Sequence, residues 1–445
     1  MKMKNEKYME AKKRYLSEFE RFQNSLNGEK AADANKLRLS AFNKFKLLDF
    51  PTKKNEDWKD TNVSPILSRN FAPVTFKDEV NDNIEIEDYV FKNFDSNLLV
   101  FINGLYSVKH SNIIEKNDNI FIGRLSEFAT EFPEKFENYF NSNLNNQTVF
   151  GVLNSAYSID GAIIYLKKNT VLENLLQVLY LNGEGKEDIL IQPKNLIVAE
   201  EGSQAKVIIN YNGTESGKYF TNAVTQIILG ENSIVDVYKI ENENSTAFHI
   251  EDTLINQEKG SVLTHFSLAV GASLTRNDLS SVLQGENIES NLYGLFLTNG
   301  TRHVDNHTFV DHTKPNCYSN ELYRGILDDD SHGVFRGKIM VREDAQKTNA
   351  YQSNKNLLLS EKAGIDTKPQ LEIYADDVKC SHGATIGAID KEAYFYIRSR
   401  GIPENIAQSM LIKAFAEDVV EPIKIKELKS DINNLVFKTL HREEL

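Results

Sequence analysis

Apolar residues in the first fifty positions fall at helical spacing. Tyr8, Tyr15, Phe19 and Phe22, with Leu16 beside them, line one side of a segment whose other side is Lys and Glu, which predicts an amphipathic helix. Leu37, Ala41, Phe42, Phe45 and Leu48 predict a second, ended at Phe50-Pro51 because proline disfavours helix in the residue before it. From about Leu98 to Leu359 the period changes to two. Short runs rich in Val, Ile, Tyr, Phe and Leu (98–102, 162–166, 178–181, 189–191, 206–211 and 225–229) are separated by Gly, Asn, Asp and Ser turns, with no long helical period between them. After Gly401 the helical pattern returns. Pro403 and Glu404 mark a helix start, Ile406, Met410 and Phe415 follow on one side, and Glu421-Pro422 ends it. A last helix is expected from about Ile425, with Leu428, Ile432, Leu435, Val436 and Leu440 facing inward.

The β region carries an internal repeat. Segments beginning at Glu201, Glu231, Lys259 and Glu286 each put an acidic or Gly/Asn turn before an alternating strand. With Ser203, Ser233, Ser261 and Ile288 as equivalent points, the steps are 30, 28 and 27 residues. A turn-plus-strands unit at that interval suggests a solenoid, in which stacked coils cover one another's apolar faces. An antiparallel sandwich with coincidental spacing fits the same alternation. The reading is therefore a mainly helical region over 1–97, a β core over 98–400 and a helical region over 401–445. The terminal helices would cap the open edges of a solenoid, which otherwise invite aggregation.

Charge and cysteine usage narrow the chemistry. With 51 basic and 64 acidic residues the net charge is −13, so the chain repels phosphate backbones and nucleic acid is not an expected partner. No apolar run reaches the ~18 residues needed to span a bilayer. The charged N-terminus lacks the apolar core of an export signal, and the expected location is a reducing cytoplasm. Two cysteines, Cys317 and Cys380, build neither a disulfide framework nor a resident cluster or structural zinc site, which take about four ligands. Any metal role is transient or shared with another chain.

Glycine-rich stretches do not make phosphate loops. Gly183-Glu184-Gly185 lacks a third glycine, and Gly333 to Ile339 has the wrong spacing and no Ser or Thr after Lys338; both read as turns, so no nucleotide is expected on this chain. Asp328-Asp329-Asp330, the nearest thing to the paired carboxylates of a glycosidase, reads as a solvated turn. In a strand, His303, Asp305 and His307 share one side, as metal ligands do, and with His312 they suggest a stand-alone metalloenzyme. The same face of a solenoid can instead hold a hydrogen-bonded polar ladder. The sharper signal is Cys380 and His382, two residues apart, which a strand presents side by side as a sulfur and nitrogen donor pair for iron or zinc. Lys379 would favour the thiolate by charge attraction, and Gly383 and Gly387 permit close approach or a bend. A buried cysteine beside a surface histidine gives the same pattern.

The block from Asn356 to Thr385, then Phe395 to Ile402, resembles the SufB/SufD family of iron–sulfur cluster assembly proteins. Asp305-Asn306-His307, the 319–325 and 345–352 segments, and the N-terminal Asn55-Glu56-Asp57-Trp58-Lys59-Asp60-Thr61 are similar to its pattern too. The resemblance is densest over about 290–420. Where SufB-type chains read Glu-His-Glu-Ala-Thr, this chain has Ser381-His382-Gly383-Ala384-Thr385, with Gly383 in place of the second glutamate; it is thus similar to the SufD branch. The resemblance implies a right-handed parallel β-helix with terminal helical regions. It also implies a non-hydrolytic scaffold that pairs with a SufB-like subunit through the β-helix, while a SufC-like ATPase docks on the C-terminal helices, for which Ile406, Met410 and Phe415 are the candidates. Cys380 and His382 would hold iron or a nascent Fe–S cluster transiently at the shared interface and aid iron acquisition, and the isolated chain could form a homodimer. For Trp58 the reading is packing.

Overall fold

The computed structural model describes residues 2–26, 33–92, 94–115, 117–142, 147–183, 188–214 and 217–439. Strands alternate between two sheets, and within each sheet neighbours are parallel. One sheet ends in His303–His312, His332–Val341 and Gly364–Ile373, the other in Tyr318–Leu327, Thr348–Leu358 and Val378–Gly387. The result is a flattened parallel β-helix of about seven coils. Among the described residues, antiparallel strand pairs occur only at its start, where Asn97–Ile102 meets Leu105–Tyr106 and Ile120–Arg124 meets Ala162–Leu166. The parallel ladders exclude the sandwich alternative.

The repeat read from sequence is the coil itself. Gln204 pairs with Ile234, Ile234 with Val262, and Val262 with Glu289, which are the predicted steps of 30, 28 and 27 residues. Ser203, Ser233 and Ser261, just before these strands, are fully buried. Ser233 and Ser261 donate to the carbonyls of Gly230 and Glu258 three residues back, at 2.8 and 2.6 Å, which tightens each turn. One residue earlier the backbone is left-handed in six successive coils: Gly202, Asn232, Gly260, Asn287, Asn316 and Lys347 have φ of 70°, 57°, 68°, 57°, 61° and 59°. Glycine and asparagine adopt this conformation readily, whereas for lysine it is strained.

In the earlier coils each sheet buries both faces, so strands such as Ala162–Leu166 and Leu176–Asn182 are buried on both sides rather than alternating. Inward residues such as Val207, Val237, Leu263, Leu292 and Val310 form the lumen core. Outward residues of the first sheet, among them Phe220, Phe248 and Ile250, pack under the N-terminal helices Lys2–Ser25 and Asp33–Leu47 and the helix Val149–Tyr157. Phe19 and Phe42 stack there with ring centroids 3.6 Å apart. Outward residues of the second sheet, Tyr238, Phe266, Leu268 and Leu295, are covered by helices Glu404–Val420 and Lys426–Thr439 through Ile412, Val419, Leu428, Ile432 and Val436. Each such side chain contributes about 1.5–3 kcal/mol by leaving water.

Two expectations are corrected. The terminal helices do not cap the ends of the solenoid; they lie on its flat faces, because outward strand positions are as apolar as inward ones. Short helices, Leu125–Glu131, Pro133–Ser142 and Val149–Tyr157, lie within the β region, each too short to show a sustained period. The Gly333-to-Ile339 stretch is strand, not turn, and a Cβ at Gly337 would meet the Gln352 amide at 2.2 Å. Gly183 does turn the chain, with φ of 95°, and Asp328–Asp330 is a solvent-facing turn. On the helix Glu404–Val420, Ile406 and Phe415 are half-buried, Phe415 against the outer core, and Met410 is exposed. Glu184, Gly185 and Leu440 lie outside the described residues.

Candidate functional site

The last strand, Val378–Gly387, hydrogen-bonds to Thr348–Leu358 on one side only, and among the described residues nothing pairs with its outer edge. Gly364–Ile373 is likewise the last strand of its sheet. Both sheets thus stop at the same end with free backbone donors and acceptors, a template for another chain. Apolar side chains surround this end: Tyr374, Ile386, Phe395 and Tyr396 are 62%, 51%, 74% and 58% exposed. The helix carrying the last two, Lys391–Ser399, buries no residue. Asp390 caps it, its carboxylate accepting from the backbone N–H groups of Glu392 and Ala393.

Cys380 and His382 lie on that strand. Cys380 is in register with Ala350 and His382 with Gln352, both fully buried and inward-facing. The two donors therefore share the lumen-facing side at the mouth of the solenoid, with Cα atoms roughly 6.8 Å apart, twice the rise per residue. Cys380 is half-buried against the lumen core, and His382 is exposed. Burial pushes the Cys380 thiol up, only partly offset by a backbone hydrogen bond from Ala350. The expected help from Lys379 is absent, because strand alternation turns that side chain to the opposite face. Gly383 and Gly387 make no bend: the strand runs through both, and the space where a Cβ would stand is open. Cys317, two coils further in, is a packing residue; its thiol donates to the Gly285 carbonyl at 3.2 Å.

The histidine-rich strand is built differently from a metal site. His303, Asp305 and His307 do share the outer face, but His312 is inward and donates to or accepts from Ser319 at 2.9 Å. The centre of the outer group is filled by the guanidinium of Arg276, 2.6 Å from Asp305 and 2.7 Å from Asp278. The pair holds the Asp305 carboxyl well below the usual carboxylate range. His303 is within 2.7 Å of the Thr61 hydroxyl, and burial lowers it to about 4. This face grips the 55–61 element: Arg276 donates to the Asp57 carbonyl, Arg336 to Asp60, and Thr61 to Asp305. Trp58 is buried there, so its role is packing.

One cluster escaped the sequence reading. Glu241, His249 and Glu251 bring three possible ligand atoms within 4.8 Å of one another inside the lumen. The signal was present: continuing the Val235, Val237 alternation puts Lys239 and Glu241 inward, where charge is costly.

The chain matches the SufBD protein N-terminal region over residues 9–178 and the SufBD core domain of the SUF system for FeS cluster assembly over residues 180–415. It is 32% identical over 398 residues to an iron–sulfur cluster assembly SufBD family protein of Synechocystis sp., covering 87% of each chain. To the iron–sulfur cluster assembly protein SufD of Escherichia coli K12 it is 31% identical over 385 residues, covering 86% of this chain and 87% of that one. To SufD of Bacillus subtilis it is 26% identical over 420 residues, 90% and 92% of the two chains.

Proposed function

Since the chain belongs to the SufBD family of iron–sulfur cluster assembly proteins, we propose that it is a SufD-type scaffold that lends Cys380 and His382 to a cluster-building cavity completed by a SufB-like subunit. The observation that carries this reading is the last strand itself. It holds the sulfur and nitrogen donors on its lumen side, leaves its outer edge unpaired, and is ringed by Tyr374, Ile386, Phe395 and Tyr396. Pairing by an edge strand of the partner would satisfy the free backbone groups and bury the apolar ring in one step. The two donors would then face into a chamber shared by both solenoids.

Iron and the nascent cluster are cargo in this scheme. Two donors from this chain hold too few bonds to retain a cluster, so it is passed on rather than kept. Hydrolysis of ATP would reside in a SufC-like partner seated on the C-terminal helices, where Met410 is the accessible contact. Movement of those helices, which pack on the outer face of the same sheet that carries Cys380, would reach the mouth through Phe415 and the Arg324 guanidinium 5.6 Å above its ring. The chain thus acts without catalysing a reaction of its own.

His382→Ala tests the reading. The variant should still co-purify with its partner subunits while cluster build-up on the complex, followed by visible absorption and bound iron and sulfide, is abolished. Cluster build-up equal to wild type would overturn the assignment.

A further inference from the structure

His382 heads a column of polar side chains that runs down into the lumen. In the second sheet His382 is in register with Gln352, and Gln352 with Glu321, one residue from each of the last three strands. Neighbouring strands lie about 4.8 Å apart, so inward side chains in register stack directly on one another. Gln352 is 2% exposed and Glu321 is fully buried, whereas His382 at the mouth is exposed. Below Glu321 the column turns apolar at Leu292.

Gln352 is held at one end of its amide and free at the other. Its Nε2 donates to Glu321 Oε2 at 2.9 Å, and the same oxygen accepts from the Thr308 hydroxyl at 2.7 Å. Thr308 belongs to the opposite sheet, so this clamp spans the lumen. Gly337, also on the opposite sheet, makes room for the amide, since a Cβ there would stand 2.2 Å from Nε2. Because Glu321 Oε2 accepts, the amide nitrogen is the end turned toward it and the oxygen is the end left over. That oxygen, Oε1, is buried and makes no hydrogen bond. A buried acceptor without a partner is costly and calls for an explanation. Of the two side chains stacked against Gln352 in its column, His382 is the one that carries a ring N–H.

Taking His382 as a donor to the cluster chamber, as above, we propose that Gln352 is its positioning residue: Oε1 accepts the N–H of the His382 ring and leaves the other ring nitrogen, unprotonated, facing the mouth. Rotation about the His382 χ angles brings the two groups together across the spacing of adjacent strands. A neutral imidazole has one N–H and one lone pair, and only the lone pair binds iron. Without an acceptor behind it, an exposed histidine exchanges its two tautomers and spends part of its time with the N–H toward the cargo. Ligating histidines accordingly hold an acceptor with their second nitrogen. Glu321 and Thr308 act one step further back, by fixing which way the Gln352 amide points.

The full-length chain is labelled with 15N in its histidine rings and studied at pH 8, His382 being identified by the signals missing from His382→Ala. In the parent, His382 should show one tautomer, its two ring nitrogens widely split in chemical shift. Gln352→Leu should return it to a mixture, whereas Glu321→Gln, whose amide oxygen still accepts from Gln352, should not. Glu321→Leu with Gln352→Leu removes both polar groups together and decides the matter if the single leucine variant fails to fold. In the chain assembled with its partner subunits, Gln352→Leu should slow cluster build-up about 10- to 100-fold with co-purification unchanged. A mixture of tautomers in the parent, or one tautomer retained in the leucine variants, overturns the proposal, as does wild-type build-up in Gln352→Leu where His382→Ala abolishes it. Build-up that survives His382→Ala overturns the scaffold reading instead, and the tautomer comparison still judges the hydrogen bond.

Discussion

The guanidinium of Arg276 lies 3.6 Å over the ring of Trp58, joining a residue of the N-terminal element to one in the middle of the solenoid. Arg276 is 1% exposed in its side chain and also bridges Asp278 and Asp305, so the indole is the lid of a buried ion network. Trp58→Ala should destabilise the chain by about 3–5 kcal/mol, the usual cost of deleting a buried tryptophan. Denaturant unfolding checks this. A loss below about 1 kcal/mol would mean that the 55–61 element is not fastened through this stack.

Glu321 gives a pH signature. It is fully buried, accepts from Thr308 at 2.7 Å and Gln352 at 2.9 Å, and burial pushes its carboxyl up to about 7. An acid whose folded value exceeds its unfolded value favours folding at low pH. Its contribution is present below the unfolded value near 4.5 and is lost as pH rises through about 7. Glu321→Gln keeps both acceptor bonds without the charge. The variant should gain stability relative to wild type on going from pH 5 to pH 8, by about 2–3 kcal/mol at ~1.4 kcal/mol per unit. Paired denaturation curves at the two pH values test it, and a constant difference between the proteins would refute it.

The two thiols should differ sharply in reactivity. Cys317 is sealed in a turn and bonded to Gly285, whereas Cys380 is half-buried at the open edge. A thiol reagent should modify one cysteine in the native chain, two in denaturant and none in native Cys380→Ser. With its thiol pushed up by burial, Cys380 should react about tenfold faster per pH unit across the neutral range, as only the thiolate attacks.

Lys347 is the one residue in the left-handed turn column that is neither glycine nor asparagine. Lys347→Gly should stabilise the chain by roughly 0.5–1 kcal/mol, since relief of a 1–2 kcal/mol backbone strain exceeds the entropy glycine loses. Its amide keeps its bond to the Asp377 carbonyl at 2.6 Å. The thermal midpoint should rise; a fall would mean that the lysine side chain matters to the turn.

The exposed ring at the mouth separates stability from association. Ile386→Lys and Tyr374→Lys alter exposed positions and should change folding stability by no more than about 0.5 kcal/mol. If the mouth is the partner seam, each should nevertheless weaken co-purification with a SufB-like subunit. Unchanged recovery of both would move the seam elsewhere.

Residue order alone determined the coil. Ser203, Ser233, Ser261 and Ile288 mark its length because successive coils bury the same inward positions and turn at the same left-handed residue, so the constraint is local and repeats along the chain. Parity along a strand likewise put Cys380 with His382 and His303 with Asp305 and His307. Only the tertiary structure decided which surfaces the helices cover, and hence that the Val378–Gly387 edge stays open, because apolar outward positions look the same whether helices, a neighbouring coil or another chain will cover them. It alone also joined Glu241 to His249 across the lumen and raised the Cys380 thiol. Both effects depend on what approaches from a distant strand and how much water it displaces, and neither is written in the spacing of neighbouring residues.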